Sequence, residues 1–277
     1  MVPMRQTIAA AETPVPTTRD NVRTLFSRVA ETCDLPPLPA VAMRAMRLAR
    51  DPDAKADDLA RVVSTDAAIA ARVLRIARSA IYVRRNAPRS LREAIMTVGF
   101  HALRKILVAA SARSIYRADD AVAGALWEHA LATALAADEL SRAAGDAPGG
   151  EGFIAGLLHD VGRLVFHLAD PAAYASLGHA DEHHEVEVFG VTHAAVGGCL
   201  AEQWGLEDDV VEAILFHHTP GASRLGERVA AADRLAHDIG FGSVKGLVGA
   251  EQTQGDDDQE LSQRIAQIMA AERTLFD

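Results

Sequence analysis

The chain has 277 residues, 49 % hydrophobic and 24 % charged but only 5 % aromatic, so it can bury one or two cores, built mainly from Ala, Leu, Val and Ile. Its 28 Lys plus Arg against 38 Asp plus Glu leave a net charge of -10, which argues against general coating of nucleic acid while permitting a local basic face. Two cysteines, Cys33 and Cys199, exclude a disulfide framework and suit a reducing cytoplasm, and neither a secretory leader nor an apolar run of the roughly 18 residues that span a membrane is expected.

Residues 1–20 mix Pro, Thr and Ala without periodicity and read as a flexible lead. Helical spacing begins at Asn21 with Val22, Leu25, Phe26 and Val29. Leu35-Pro36-Pro37-Leu38-Pro39 then forces a break between helices. Asp51-Pro52-Asp53 ends the next helix, Ala56-Asp57-Asp58 opens one bearing Leu59, Val62 and Val63, and Thr65-Asp66 opens another with Ile69, Val73, Leu74 and Ile76. Further helices are predicted at about 90–97, 100–116 and 121–143. The segment 144–152 (AGDAPGGEG) is a loop by composition and the natural internal boundary. Beyond it, helices are predicted at about 153–168, 191–204, 207–217 and 224–238. Gly255-Asp256-Asp257-Asp258 reads as a solvated linker before a short amphipathic helix with Leu261, Ile265, Ile268, Met269 and Leu275 on one side. No strand pattern and no fixed-period repeat appears, so the predicted fold is all-α, a multi-helix bundle with an N-terminal helical subdomain.

The placement of the histidines suggests chemistry. His129, the pair His159-Asp160, His193, the pair His217-His218, and Asp233 each sit within or beside an apolar helical run, in that order. One histidine on an apolar helix is more often a hydrogen-bonded core residue than a ligand. Several imidazoles and carboxylates converging inside a bundle are costly unless bonded or bound to metal. Mixed N and O donors suit one or two divalent ions of Fe, Mn, Zn or Mg. His183-His184, in what reads as an acidic loop, is expected only to be solvated, and His167, His179 and His237 receive no role.

The segment Gly156-Leu157-Leu158-His159-Asp160-Val161-Gly162 resembles the signature of the HD phosphohydrolase superfamily. More specifically, the chain resembles the HDOD (HD-related output domain) family over about residues 31–240. Leu35-Pro36-Pro37-Leu38-Pro39 is similar to that family's opening LPxLP, and Ser79-Ala80-Ile81-Tyr82 to its N-S-A-x-Y. Glu185 followed by Gly190-Val191-Thr192-His193-Ala194-Ala195-Val196-Gly197 is similar to its E…G-x-x-H-A-x-V-G. Arg78 stands where the family usually has Asn. Arg163 stands where the catalytic HD-GYP relatives have Lys, and Thr219-Pro220-Gly221-Ala222 replaces their Gly-Tyr-Pro loop. The resemblance implies 21–143 as the N-terminal helical part, 144–240 as the HD-like part and 241–277 as linker and C-terminal helix.

It also implies a bacterial signalling module, non-catalytic and acting through protein contacts with a separate sensor or regulator, with a bound metal or small anion as an added expectation. The alternative is a metal-dependent phosphohydrolase or phosphodiesterase of nucleotides, in which Arg163 would steady phosphoryl oxygens. A nucleotide is the expected small ligand; membrane and nucleic acid are not expected partners. A weaker third reading uses Arg72, Arg75 and Arg78, three apart in an Arg-rich stretch, as an anion-binding face. Pairing of these arginines within the chain is the more ordinary expectation.

Overall fold

The computed structural model describes residues 39–79, 82–83, 86–116, 120–145, 150–178, 182–242 and 261–270. The lead at 1–20, the helix expected from Asn21, residues 35–38 of the proline-rich motif, and the linker before 261 lie outside the described residues. Among the described residues the secondary structure is helical, with no strand.

Four helices form the N-terminal part: α1 (Ala40–Leu48), α2 (Ala56–Val63), α3 (Ala67–Ala77) and α4 (Leu91–Ala112). Pro39 precedes α1, the Asp66 side chain caps the amides of Ala68 and Ile69 at the start of α3, and Ser90 caps α4 at Glu93. The first three helices all pack on α4. Inside α4, Gly99 takes φ 80, ψ 164, so the break expected between residues 97 and 100 is present as a sharp kink that a side chain would strain.

The second part contains α5 (Ala121–Ala143), α6 (Glu151–Leu158), α7 (Val161–Ala169), α8 (Pro171–Leu177), α9 (Glu182–Phe189), α10 (His193–Gln203), α11 (Asp208–Phe216) and α12 (Arg224–Asp238). A further helix, α13, covers 261–270 and buries Ile265 and Met269. The helix expected over 153–168 is two helices, because the chain turns at His159-Asp160. Two short helices, α8 and α9, replace a stretch for which no helix was expected. His183 and His184 therefore lie on a helix rather than in a loop, though still on its exposed side.

Alanine and glycine set the close packing of this half. Ala130, Ala132, Ala134, Ala136 and Ala137 of α5 are all buried, and a Cβ placed on Gly156 of α6 would stand 2.9 Å from the Cα of Ala134. Thus α5 and α6 touch backbone to backbone, which a core of few aromatics permits. By length and mean hydropathy, Leu91–Ala112 and the α6–α7 stretch Glu151–Ala169 are apolar enough to cross a membrane, although neither is an uninterrupted apolar run. Their apolar windows are 56 % and 83 % buried within the bundle, which accounts for that composition.

Candidate metal centre

All seven predicted ligands meet in one place. His129 comes from the middle of α5, His159 and Asp160 from the turn between α6 and α7, His193 from the first residue of α10, His217 and His218 from the end of α11, and Asp233 from α12. On one side, the Nε2 of His129 lies 3.1 Å from Asp233 Oδ1, 3.6 Å from Asp160 Oδ2 and 3.3 Å from His159 Nε2. On the other, the Nε2 of His193 lies 3.1 Å from Asp160 Oδ1, 3.3 Å from His217 Nε2 and 3.1 Å from His218 Nε2. Asp160 joins the two sides, one oxygen toward each.

The outer nitrogens explain why the inner ones point inward. The Nδ1–H groups of His129, His159 and His217 donate to the backbone carbonyls of Phe241, Gly156 and Ile214, at 2.7, 2.8 and 2.8 Å. A carbonyl only accepts, so each of these rings carries its proton on Nδ1, and in the neutral ring Nε2 is a lone pair. His193 is held likewise by Glu185, 2.7 Å from its Nδ1, while the same carboxylate accepts from the His193 backbone N–H at 2.8 Å. Anchoring of the outer nitrogen is the arrangement that orients imidazoles toward a metal. Asp233 Oδ1, buried, makes no hydrogen bond. Lone pairs facing one another and an orphaned carboxylate oxygen call for a cation between them.

Electrostatics agree with the geometry. Burial opposes ionisation of Asp160, yet Arg163, His159 and His193 outweigh it and hold the carboxyl well below its ordinary range. Asp233 is likewise held well below its ordinary range by the neighbouring imidazoles of His129 and His159 despite burial. Burial and Arg163 oppose the charge on His193, but Glu185 and Asp160 together push it up to about 9. His217 is driven well down, first by burial and then by the imidazoles beside it. Desolvation and the charge on His193 bring His218 down to about 4. Its outer edge faces solvent. There a cavity of about 460 Å³ opens, lined by His217, His218, Thr219, Asp233 and Arg234 among others.

The donors fit a divalent metal: groups of three ligand atoms lie within 4.8 Å of one another at His129/His159/Asp160 and at His193/His217/His218. Neighbouring donors around an ion with bonds of about 2.1 Å stand about 3.0–3.4 Å apart, and the inner distances above cluster there.

The HDOD domain matches this chain over residues 35–220. The chain belongs to the HDOD family. A protein of Treponema pallidum is 29 % identical over 193 residues, which make up 67 % of this chain and 38 % of that protein. The HDOD chain thus spans well under half of that relative's length. Three solved structures share its fold. An HDOD domain protein of Geobacter sulfurreducens superposes with a TM-score of 0.71 at 20 % identity, covering 93 % of this chain and 96 % of that one. A candidate phosphohydrolase of Shewanella amazonensis gives 0.70 at 23 % identity over 91 % and 96 %. A candidate metal-dependent phosphohydrolase of the same organism gives 0.58 at 18 % identity over 93 % and 100 %.

In this HDOD chain the remaining predicted residues have definite places. Arg163 Nε lies 3.2 Å from Asp160 Oδ1 and 3.9 Å from Glu185 Oε1, beside the ligands. Arg72 donates to the carbonyl of Ala110 and Arg78 to that of Pro88. Two of the three arginines of the supposed anion face therefore bind the chain's own backbone. Two residues near the site had no assigned role in the sequence. Glu185 is the anchor of His193, and His237, one helical turn after Asp233, places Nε2 3.4 Å from Asp233 Oδ1. The spacing of an Asp and a His four apart on a helix was the only available signal for the latter.

Proposed function

We propose that this HDOD protein is a metal-dependent phosphohydrolase acting on a nucleotide phosphoester with two divalent cations, the alternative that the sequence set beside a non-catalytic module. The observation that carries it is the complete set of seven converging donors, four of its imidazoles anchored from behind, opening onto a cavity at His218. The donors His129, His159, Asp160 and Asp233 would hold one cation, and Asp160, His193, His217 and His218 the other. Cations of the Fe, Mn, Zn or Mg type supply Lewis acidity to a phosphoryl oxygen and to an attacking water. The chain itself does the positioning. Glu185 fixes the ring of His193, Arg163 balances the charge of Asp160, and Arg234 lines the cavity where an anionic substrate would enter. The two Shewanella neighbours, described as phosphohydrolases, support this reading by analogy of fold.

A second reading, an HDOD signalling module that works through contacts with a separate sensor or regulator, is favoured by one observation. Arg163 is turned to Asp160 and Glu185 and, among the described residues, does not line the cavity. The two readings separate in one series. Protein purified without chelator or a metal-carrying tag is expected to contain about two metal ions per chain by elemental analysis. His159→Ala and Asp160→Ala are expected to lose metal and melt at lower temperature, since a ligand bound only by the native state adds about 3–4 kcal/mol at 100 to 1,000 times its Kd. Stoichiometric metal in both variants overturns the metal site. Hydrolysis of bis(p-nitrophenyl) phosphate and of a nucleotide panel by the loaded protein, abolished in Asp160→Ala, supports the enzyme; a loaded but inactive protein leaves the signalling module. Cyclic di-GMP is expected to be hydrolysed poorly or not at all, because Thr219-Pro220-Gly221-Ala222 follows His218 where a Gly-Tyr-Pro loop would be.

A further inference from the structure

The two sides of the centre are not equivalent, and the difference lies in α12. Asp233 and His237 are four apart on that helix and so share a face. The candidate donor atoms of His129, Asp233 and His237 form a third group within 4.8 Å, and the rings of His129 and His237 lie 4.9 Å apart between centroids. Asp233 Oδ1 faces three imidazole nitrogens, of His129 at 3.1 Å, His237 at 3.4 Å and His159 at 3.8 Å. If His237 merely steadied Asp233, that oxygen would accept its hydrogen bond; it accepts none. All three separations fall between those of adjacent and of opposite donors around one ion, about 3.0 and about 4.2 Å for bonds of about 2.1 Å.

We propose that His237 is a fifth protein ligand on the His129 side, and that this makes one cation tightly retained and the other exchangeable. The inference rests on the reading above that the cluster holds divalent cations. Counting donors gives the asymmetry. His129, His159, Asp160, Asp233 and His237 would fill five of six positions on one side. On the other, His193, His217, His218 and Asp160 leave two open, and His218 stands at the solvent-facing mouth. The first cation is then the structural member of the pair, and the second is the one that exchanges with solvent and meets substrate.

The test is a titration of the full chain, stripped with chelator, with cobalt(II), followed by the visible absorption of the bound ion and by elemental analysis after gel filtration. The wild type is expected to load in two steps, the first at least 10-fold tighter, and to keep one ion through filtration. In His237→Ala the first step is expected to weaken 10-fold or more, and the retained ion to be lost. His237→Asp, which restores a ligand atom, is expected to recover part of the difference. His237→Gln, with circular dichroism beside it, distinguishes ligand loss from misfolding. A first step unchanged in His237→Ala and His237→Gln overturns the role of His237 and leaves the parent reading intact. Failure of the wild type to take up cobalt(II) overturns both.

Discussion

Gly162, the residue after the His-Asp turn by two, shows how little slack surrounds the ligands. A Cβ there would lie 2.1 Å from the carbonyl oxygen of His193 and 2.8 Å from its Cα, so α7 and α10 meet backbone to backbone beside a ligand. Gly162→Ala must push the two helices apart, and overpacking of this kind costs about 1–3 kcal/mol. The expected outcome is a lower midpoint in urea and a weakened metal content, both read on the purified variant; an unchanged metal content would show that His193 tolerates the shift. The convergence of the seven candidate donors was legible because their residue types, order and apolar surroundings occur together. Glu185 was visible as a motif letter without a job, since anchoring a ring eight positions on is a tertiary relation. His237 was passed over because a histidine among the charges of α12 looks like any solvated one until the position of His129 is known.

At the scale of the helix, the capping residues carry separable stability. Asp120 caps α5 through the amides of Val122 and Ala123 and also accepts from His167 Nε2 at 2.6 Å. Burial opposes its ionisation, but the His167 bond and the Ala123 amide outweigh it and lower its pKa. A carboxylate with a lowered folded pKa stabilises fully above its unfolded value, about 3.9, and that contribution fades as pH falls through the lower folded one. Asp120→Ala is therefore expected to cost about 1 kcal/mol at pH 7, with the gap from wild type closing below about pH 4; a gap constant down to pH 2 would contradict the charge as its source. The Arg72/Arg75/Arg78 stretch is expected to act on stability rather than as a recognition face. With Arg72 and Arg78 bonded to carbonyls of other segments, reversal of all three to Glu is expected to lower the melting temperature. A salt-dependent loss of nucleotide binding at unchanged melting temperature would restore the anion face. Helices with clear caps and apolar faces, such as α5 and α12, were legible to within a residue or two. The turn at His159-Asp160 was not, because apolar spacing runs straight through it, and α8 and α9 were hidden by their weak amphipathic pattern.

Across the whole molecule, one arginine ties the N-terminal helices to the half that carries the histidine–aspartate cluster. Arg104 of α4, its side chain 5 % exposed, pairs with Glu151 at the start of α6 at 3.0 Å and with Glu207 before α11. Arg50, after α1, reaches the same Glu207 at 3.1 Å. Removing one partner of a buried pair costs about 3–5 kcal/mol; Arg104→Ala strands Glu151 and leaves Glu207 with Arg50, so it is expected to destabilise in urea toward the lower end of that range. Replacing Arg104 by Met together with Glu151→Gln and Glu207→Gln is expected to recover much of it; no recovery would mean that packing, not charge, is the tie. The last consequence concerns time. His129 and the Phe241 carbonyl that holds its ring are 112 positions apart, and the donors between them come from four separate stretches of chain, at 159–160, 193, 217–218 and 233–237. Such a site needs long-range docking to close, and closure on the native side of the folding barrier is the expected order. A cation held there would slow escape from the native state without hastening arrival. In denaturant-jump kinetics, chelation should lift the unfolding arm and leave the refolding arm in place, so that metal supply would govern how long each molecule survives rather than how fast it forms.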